Sequence, residues 1–194
     1  MVNNWHEVTL EQYFKILQIQ RSDKTDTEKT LDLLQLFSDV DNFEDLKLSE
    51  LHLHTPDLRF LQDQPQSVNI GETIEVGGKV YEVATDKTMT SLQFIGFNQA
   101  YKTFDENKIE SVTELMSNLL CEKGKKFSVD GKPDAKELRE LPCEVAFSLI
   151  TFFLPTSISL SIDMPTFFSK IVTVSLSMQS SVVQTLSFLD TDSL

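Results

Sequence analysis

Apolar residues recur every three or four positions through most of the first 154 residues, and the period shortens to two between residues 73 and 83. In the first helical run Leu10, Tyr13, Phe14 and Leu17 fall on one face. Thr9 and Gln12 stand three apart, the spacing of a capping box in which each side chain meets the other's backbone amide, so a helix is predicted over about 9 to 20. After the polar connection from Arg21 to Thr25, a second helix starts at Asp26 or Thr27 and buries Leu31, Leu34 and Phe37. A third opens at Asp41, with Glu44 three residues on, and carries Phe43, Leu46 and the run through Leu51. Thr55 before Pro56 reads as a cap followed by proline at the first helical position, with Leu58 and Leu61 facing inward.

The change of period marks a β-hairpin. Thr73 to Val76 and Lys79 to Val83 flank Gly77 and Gly78, a two-residue turn that needs positive φ. In that register Ile74 faces Tyr81 and Val76 faces Lys79; Ile74, Val76, Tyr81 and Val83 share one face, Glu75 and Glu82 the other. A lone hairpin is marginal in water, so the apolar face must lie on helices or the ribbon must join another strand. Helices resume at Thr90, paired with Gln93, and carry Phe94, Phe97, Tyr101 and Phe104. Ser111 with Glu114 predicts another start, followed by Val112, Leu115, Met116, Leu119 and Leu120, with Gly124 as its stop. Pro133 and Pro142 each suit a first helical turn, and the second helix runs from about Cys143 to Leu154, burying Phe147, Ile150 and Phe153, until Pro155 ends it. The fold class that follows is α+β, mainly α-helical, with a β-hairpin at 73–83.

Charge divides the chain in two. After Glu144 only Asp163, Lys170, Asp190 and Asp192 are charged, so an acidic helical domain with its hairpin is expected over 1–154 and a charge-poor, Ser/Thr-rich region over 155–194. In the latter, Ile158, Leu160, Ile162 and Met164 alternate with polar residues, as do Val172, Val174, Leu176 and Met178. That is strand periodicity, with helix left open as the other reading. The 19 residues from Ile171 to Leu189 lack charge, but nine of them are Ser, Thr or Gln, too polar a run for a membrane span.

With 194 residues and 14 Phe the chain can build a substantial core. The net charge of −13 repels phosphate backbones and anionic lipid, which argues against nucleic acid and membrane surfaces as partners. Two cysteines are too few for a disulfide framework, and the start Met1, Val2, Asn3, Asn4, Trp5, His6 lacks the basic and apolar regions of a signal peptide. A reducing cytoplasm is the expected setting.

Catalytic chemistry finds little support. The stretch Gly71 to Val80 resembles a phosphate loop only superficially, because Thr73 stands where glycine is needed, Val80 where Ser or Thr is needed, and no helix follows. His52, His54 and Asp57 are the one dense group of metal-ligand types, yet two histidines two apart on a helix do not converge. Cys121 and Cys143 have neither a CxxC partner nor a recognisable base and read as small buried hydrophobes. No enzyme, cofactor or metal is expected. Phe94, Phe97, Tyr101, Leu115, Met116 and Leu119 have the aromatic and flexible apolar character of a helix-binding groove, and equally that of a closed core.

The order of these elements resembles a known family. The amphipathic helix from Val8 to Ile19, the acidic helical block through Phe37, Val40, Phe43 and Leu51, the Ile74 to Val83 hairpin, the helix at Met89 to Tyr101 and the run from Leu141 to Phe153 are similar to tail assembly chaperones of tailed bacteriophages, particularly those infecting gut Bacteroidetes. The resemblance covers about residues 8–154. It implies a non-enzymatic factor in the cytoplasm of the infected host that binds the helical tape measure protein during tail morphogenesis and helps tail tube protein polymerise around it. A homo-oligomer is compatible with it. A virion structural or internal cargo protein is the alternative, and a host-side adaptor would have much the same composition; a small hydrolase is disfavoured by the missing nucleophile and base arrangement.

Overall fold

The computed structural model describes residues 2, 4–38, 58–62, 65–85, 87–105 and 107–157, with side chains through residue 151 apart from that of residue 62. The predicted elements at 41–51, the Thr55–Pro56 cap, the histidine pair and the alternating segments after residue 157 lie outside these residues. Within them the protein is α+β and mainly helical, with six α-helices and one three-stranded antiparallel sheet.

Helix α1, Leu10–Arg21, begins as its capping box dictates: Thr9 Oγ1 accepts from the Gln12 amide at 3.1 Å, and Gln12 Oε1 accepts from the Thr9 amide at 3.0 Å. Its buried face is Leu10, Tyr13, Phe14, Ile16 and Leu17. Helix α2, Asp26–Phe37, has a capping box of its own on Thr25 and Glu28, and it buries Leu33, Leu34 and Phe37; Leu31, expected inside, is only partly covered. A 3-10 turn over Leu58–Gln62 brings in Leu58 and Leu61, both buried as expected. Its Phe60 ring stands edge-on to Trp5 at 5.4 Å and to Phe37 at 5.8 Å, and Tyr13 meets Phe147 at 4.8 Å. Edge-to-face pairs of this kind tie the N-terminal turn, α1 and α2 into one aromatic cluster.

Strands β1 (Thr73–Val76) and β2 (Lys79–Val83) form the hairpin in the register read from the sequence, Ile74 opposite Tyr81 and Val76 opposite Lys79. Gly77 and Gly78 take φ of 57° and 76°, left-handed values that glycine adopts without a Cβ penalty. Val76, Tyr81 and Val83 are buried and Ile74 partly so, while Glu75 and Glu82 are exposed. The hairpin gains a third strand, β3 (Leu120–Glu122), with Val83 opposite Leu120 and Tyr81 opposite Glu122.

Helix α3 is Ser91–Lys102 and helix α4 is Ile109–Leu119. The start of α4 differs from the expectation at Ser111. Asp105 turns the chain first, its Oδ1 accepting from the Asn107 amide at 3.0 Å and its carbonyl from the Lys108 amide at 3.0 Å. The helix is therefore under way at Ile109, and Lys108, the N-cap, makes no side-chain cap bond. Leu120 leaves the helix for the sheet, so Gly124, at φ 83°, serves the turn after β3 rather than the end of α4. Pro133, expected in a first helical turn, lies just before the short helix α5 (Ala135–Arg139), which Asp134 caps by accepting from the Lys136 amide at 2.8 Å. Helix α6, Cys143–Ser157, continues through Pro155 instead of stopping before it. A proline in the last turn forfeits a single backbone hydrogen bond, which a long helix tolerates.

The core sits around α4, which packs on α1, α3, α5, α6 and β3. At the base of the molecule the starts of α1 and α6 are stitched together: the Leu10 amide donates to the Leu141 carbonyl and the Cys143 amide to the Val8 carbonyl, each at 2.8 Å. Glu144, buried in the first turn of α6, accepts from the Gln66 amide at 3.0 Å and pairs with His6, and one turn on Ser148 accepts from the Val68 amide at 2.8 Å. These bonds hold the extended segment before the hairpin against α6.

Candidate partner-binding face

Helix α3 is fixed at its start by Thr90, which accepts from the Gln93 amide at 3.2 Å while Gln93 Oε1 accepts from the Thr90 amide at 3.0 Å. Its inner side is Gln93, Phe97 and Ala100, all buried. Between them Gly96 lies so close to α4 that a Cβ there would fall on the Asn118 side-chain oxygen. Asn118 cannot easily retreat, because its Nδ2 donates to the Glu114 carbonyl at 2.9 Å and its Oδ1 accepts from Lys132 Nζ at 2.8 Å. Lys132 lies 4.9 Å over the Phe127 ring, and burial pushes its ammonium below the usual lysine range, with the Glu114 charge opposing that shift.

The six residues read as a groove separate into two groups. Phe97, Leu115, Met116 and Leu119 are at most 1% exposed and are closed core, with no surface to offer a partner. Tyr101 is half-buried, its ring 6.3 Å from Phe97 and 6.4 Å from Phe104. Phe94 alone of the six is exposed, at 40%, on a flank of α3, while on the side opposite Phe97 Leu92 is 58% and Ile95 52% exposed. Those two residues were not singled out in the sequence. Their signal was present, since an amphipathic surface helix should carry polar residues opposite Phe97, and α3 carries Leu and Ile there instead. Of the five large apolar residues exposed among the described ones, Leu92 and Ile95 thus share one side of one helix. Scattered singles need no explanation, whereas two that share one side of a helix are a candidate contact surface.

The chain matches no family model, no curated protein and no solved structure. Gly77 and Gly78 belong to a hairpin turn, with no helix following to aim its amides at a phosphate. Cys143 is fully buried, and burial, with the Glu144 charge second, pushes its thiol up to about 12, the wrong direction for a nucleophile. Cys121 donates to the Lys125 carbonyl at 3.4 Å, and burial raises its thiol as well. Among the described residues no group of three or more His, Cys, Asp or Glu is placed to hold a metal ion, and no helix is long and apolar enough to cross a membrane.

Proposed function

We propose that the chain is a non-enzymatic tail assembly chaperone of a tailed bacteriophage, acting in the cytoplasm of the infected host by binding the tape measure protein, with tail tube protein as a second partner. The observation that carries the binding half of this reading is the outward side of α3, where Leu92 and Ile95, three residues apart, are exposed together on a helix that has no acidic residue. A long helical client offers apolar stripes of matching spacing, and a helix-on-helix contact covers both. The phage half rests on the resemblance in element order over about residues 8–154. Mass spectrometry of purified particles, set beside co-purification from infected cells, tests the reading. An assembly factor is expressed, co-purifies with the tape measure protein and is missing from finished particles; stoichiometric presence in the particle makes it a virion structural or cargo protein instead.

A further inference from the structure

We infer that the free edge of β1 takes up an extended segment of another protein, apolar beside Ile74 and basic beside Glu75. None of the α3 residues takes part, so this surface stands or falls independently of the helix-binding reading. Successive cross-strand pairs of an antiparallel hairpin alternate between exchanging hydrogen bonds and not exchanging them. The Val83 amide donates to the Glu72 carbonyl at 2.9 Å, which makes Glu72 and Val83 an exchanging pair, and by alternation Ile74 with Tyr81 and Val76 with Lys79. Thr73 and Glu75 therefore turn their N–H and C=O groups away from β2. The strand order is β1-β2-β3, so those groups point past the edge of the sheet, and both residues are exposed. Few of the devices that ordinarily blunt an edge are present. Strand β1 has no proline, its pairing runs on without a bulge, and its inward positions, Ile74 and Val76, are apolar. What remains is its length of four residues and the charge of Glu75.

The side chains specify the occupant. Of the inward residues of the hairpin, Val76, Tyr81 and Val83 are buried, whereas Ile74 is only partly so, and an apolar residue opposite it on an added strand completes that face. On the outward face Glu75 and Glu82 are diagonal neighbours, with Val80 opposite Glu75 and Thr73 opposite Glu82. Both carboxylates are exposed, and neither forms an ion pair with a described residue. A lysine or arginine opposite Glu75 relieves that like-charge pair, and a carboxylate there adds to it. The sheet's own cations lie elsewhere: Lys79 is at the turn, and Lys123, whose amide donates to the Val80 carbonyl, is on the far side of β2 from β1. The same charge disfavours a second copy. Two β1 edges brought together antiparallel place their Glu75 side chains on one face of the joined sheet, with a net charge of −13 on each chain. The edge is also held before a partner arrives. Gly77 lies so close to α5 that a Cβ there would fall on the Glu137 carboxyl group, and β2 is braced on its other side by β3. The ordering cost of binding is correspondingly low.

The test uses the full chain and a synthetic peptide of alternating lysine and valine, followed by fluorescence anisotropy and by amide exchange in NMR. Binding is expected to slow exchange at Thr73 and Glu75. Glu75→Lys is expected to weaken it about three- to tenfold, with the melting temperature nearly unchanged because position 75 is exposed. The same peptide N-methylated at its lysine amides keeps its charge and side chains but cannot donate to the edge, and equal binding by it overturns strand addition. A peptide of alternating glutamate and valine that binds as tightly overturns the basic assignment. Slowed exchange on α3 with Thr73 and Glu75 unaffected overturns the edge. Slow exchange at those two amides in the chain alone overturns it too, because a second copy or residues 158–194 would then already cover it. No binding of the lysine and valine peptide overturns the proposal and leaves the α3 reading as it stands.

Discussion

Helices α3 and α4 lie side by side and carry apolar residues at the same helical spacing, yet they place them differently. On α4 no apolar residue is exposed: Val112, Leu115, Met116 and Leu119 are buried, and the exposed residues are Glu110 and Glu114. On α3 the inner side is as well packed, through Phe97, Ala100 and the close approach at Gly96, but Leu92, Phe94 and Ile95 remain outside. A helix that satisfies its core with one face and still presents apolar residues on the other has surface chemistry that folding does not require. That surplus is what the proposed binding reading rests on, and it stands out against α4, whose exposed residues are both acidic.

Truncating the inner sides gives the largest expected effects. Phe97→Ala is expected to cost about 3–5 kcal/mol and Leu115→Ala about 2–5 kcal/mol, because each removes a buried side chain the surroundings cannot replace. Urea denaturation measures both, and a loss under about 1 kcal/mol for Phe97→Ala would return that residue to the surface. The core also has a pH signature, carried by Tyr13 on α1 and Cys143 on α6. Burial holds the Tyr13 hydroxyl and the Cys143 thiol at about 12, against ordinary values of 10.0 and 9.0. The folded chain therefore keeps protons that the unfolded chain releases. The associated stability is complete below pH 9 and is lost as the pH rises toward 12. The denaturation midpoint is expected to fall through that window, less steeply in Cys143→Ser.

Gly96→Ala probes the contact between the two helices. Alanine should favour a helix by about 1 kcal/mol, yet its Cβ falls on Asn118, so a net loss of about 1–3 kcal/mol is expected. Shortening the obstacle with Asn118→Ser should recover part of that loss in a double-mutant cycle, and purely additive effects would mean the contact is not made. Thr90→Ala removes the cap of α3 and is expected to cost about 1 kcal/mol by the same denaturation measurement. Smallest of all, Leu92→Ser and Ile95→Ser should each stay within about 0.5 kcal/mol of the parent. A larger loss at either position would mean that something in the chain already covers the face, and the contrast between α3 and α4 would disappear.

Where partner groups sit only a few residues apart, the sequence was enough to read the structure. The capping boxes at Thr9 and Thr90 and the hairpin around Gly77 and Gly78 depend on residues close together in the chain, and all three were legible. Ser111 misled because its spacing to Glu114 is that of a capping box, while the turn at Asp105 had already started the helix. Pro155 misled in the same way, since a helix breaker in the last turn costs too little to end α6. The strand at Leu120–Glu122 could not be read from its own three residues. It exists because the free edge of β2 lies where α4 ends.

The candidate face, Leu92 with Ile95, was not legible, and of the six residues named from spacing Phe94 alone is exposed. Phe94 was named with the groove, but its five companions were chosen on spacing, and spacing says which residues share a side of a helix without saying whether that side meets protein or water. The sequence by itself determined the helices, the hairpin register, the acidic surface and the absence of carboxylates from α3, because each follows from local spacing or from composition. Only the tertiary structure decided that Leu115, Met116 and Leu119 are core while Leu92 and Ile95 are surface. That distinction depends on which side of each helix the neighbouring elements cover, and those neighbours, α1, α5, α6 and β3 around α4, come from parts of the chain that no local pattern connects.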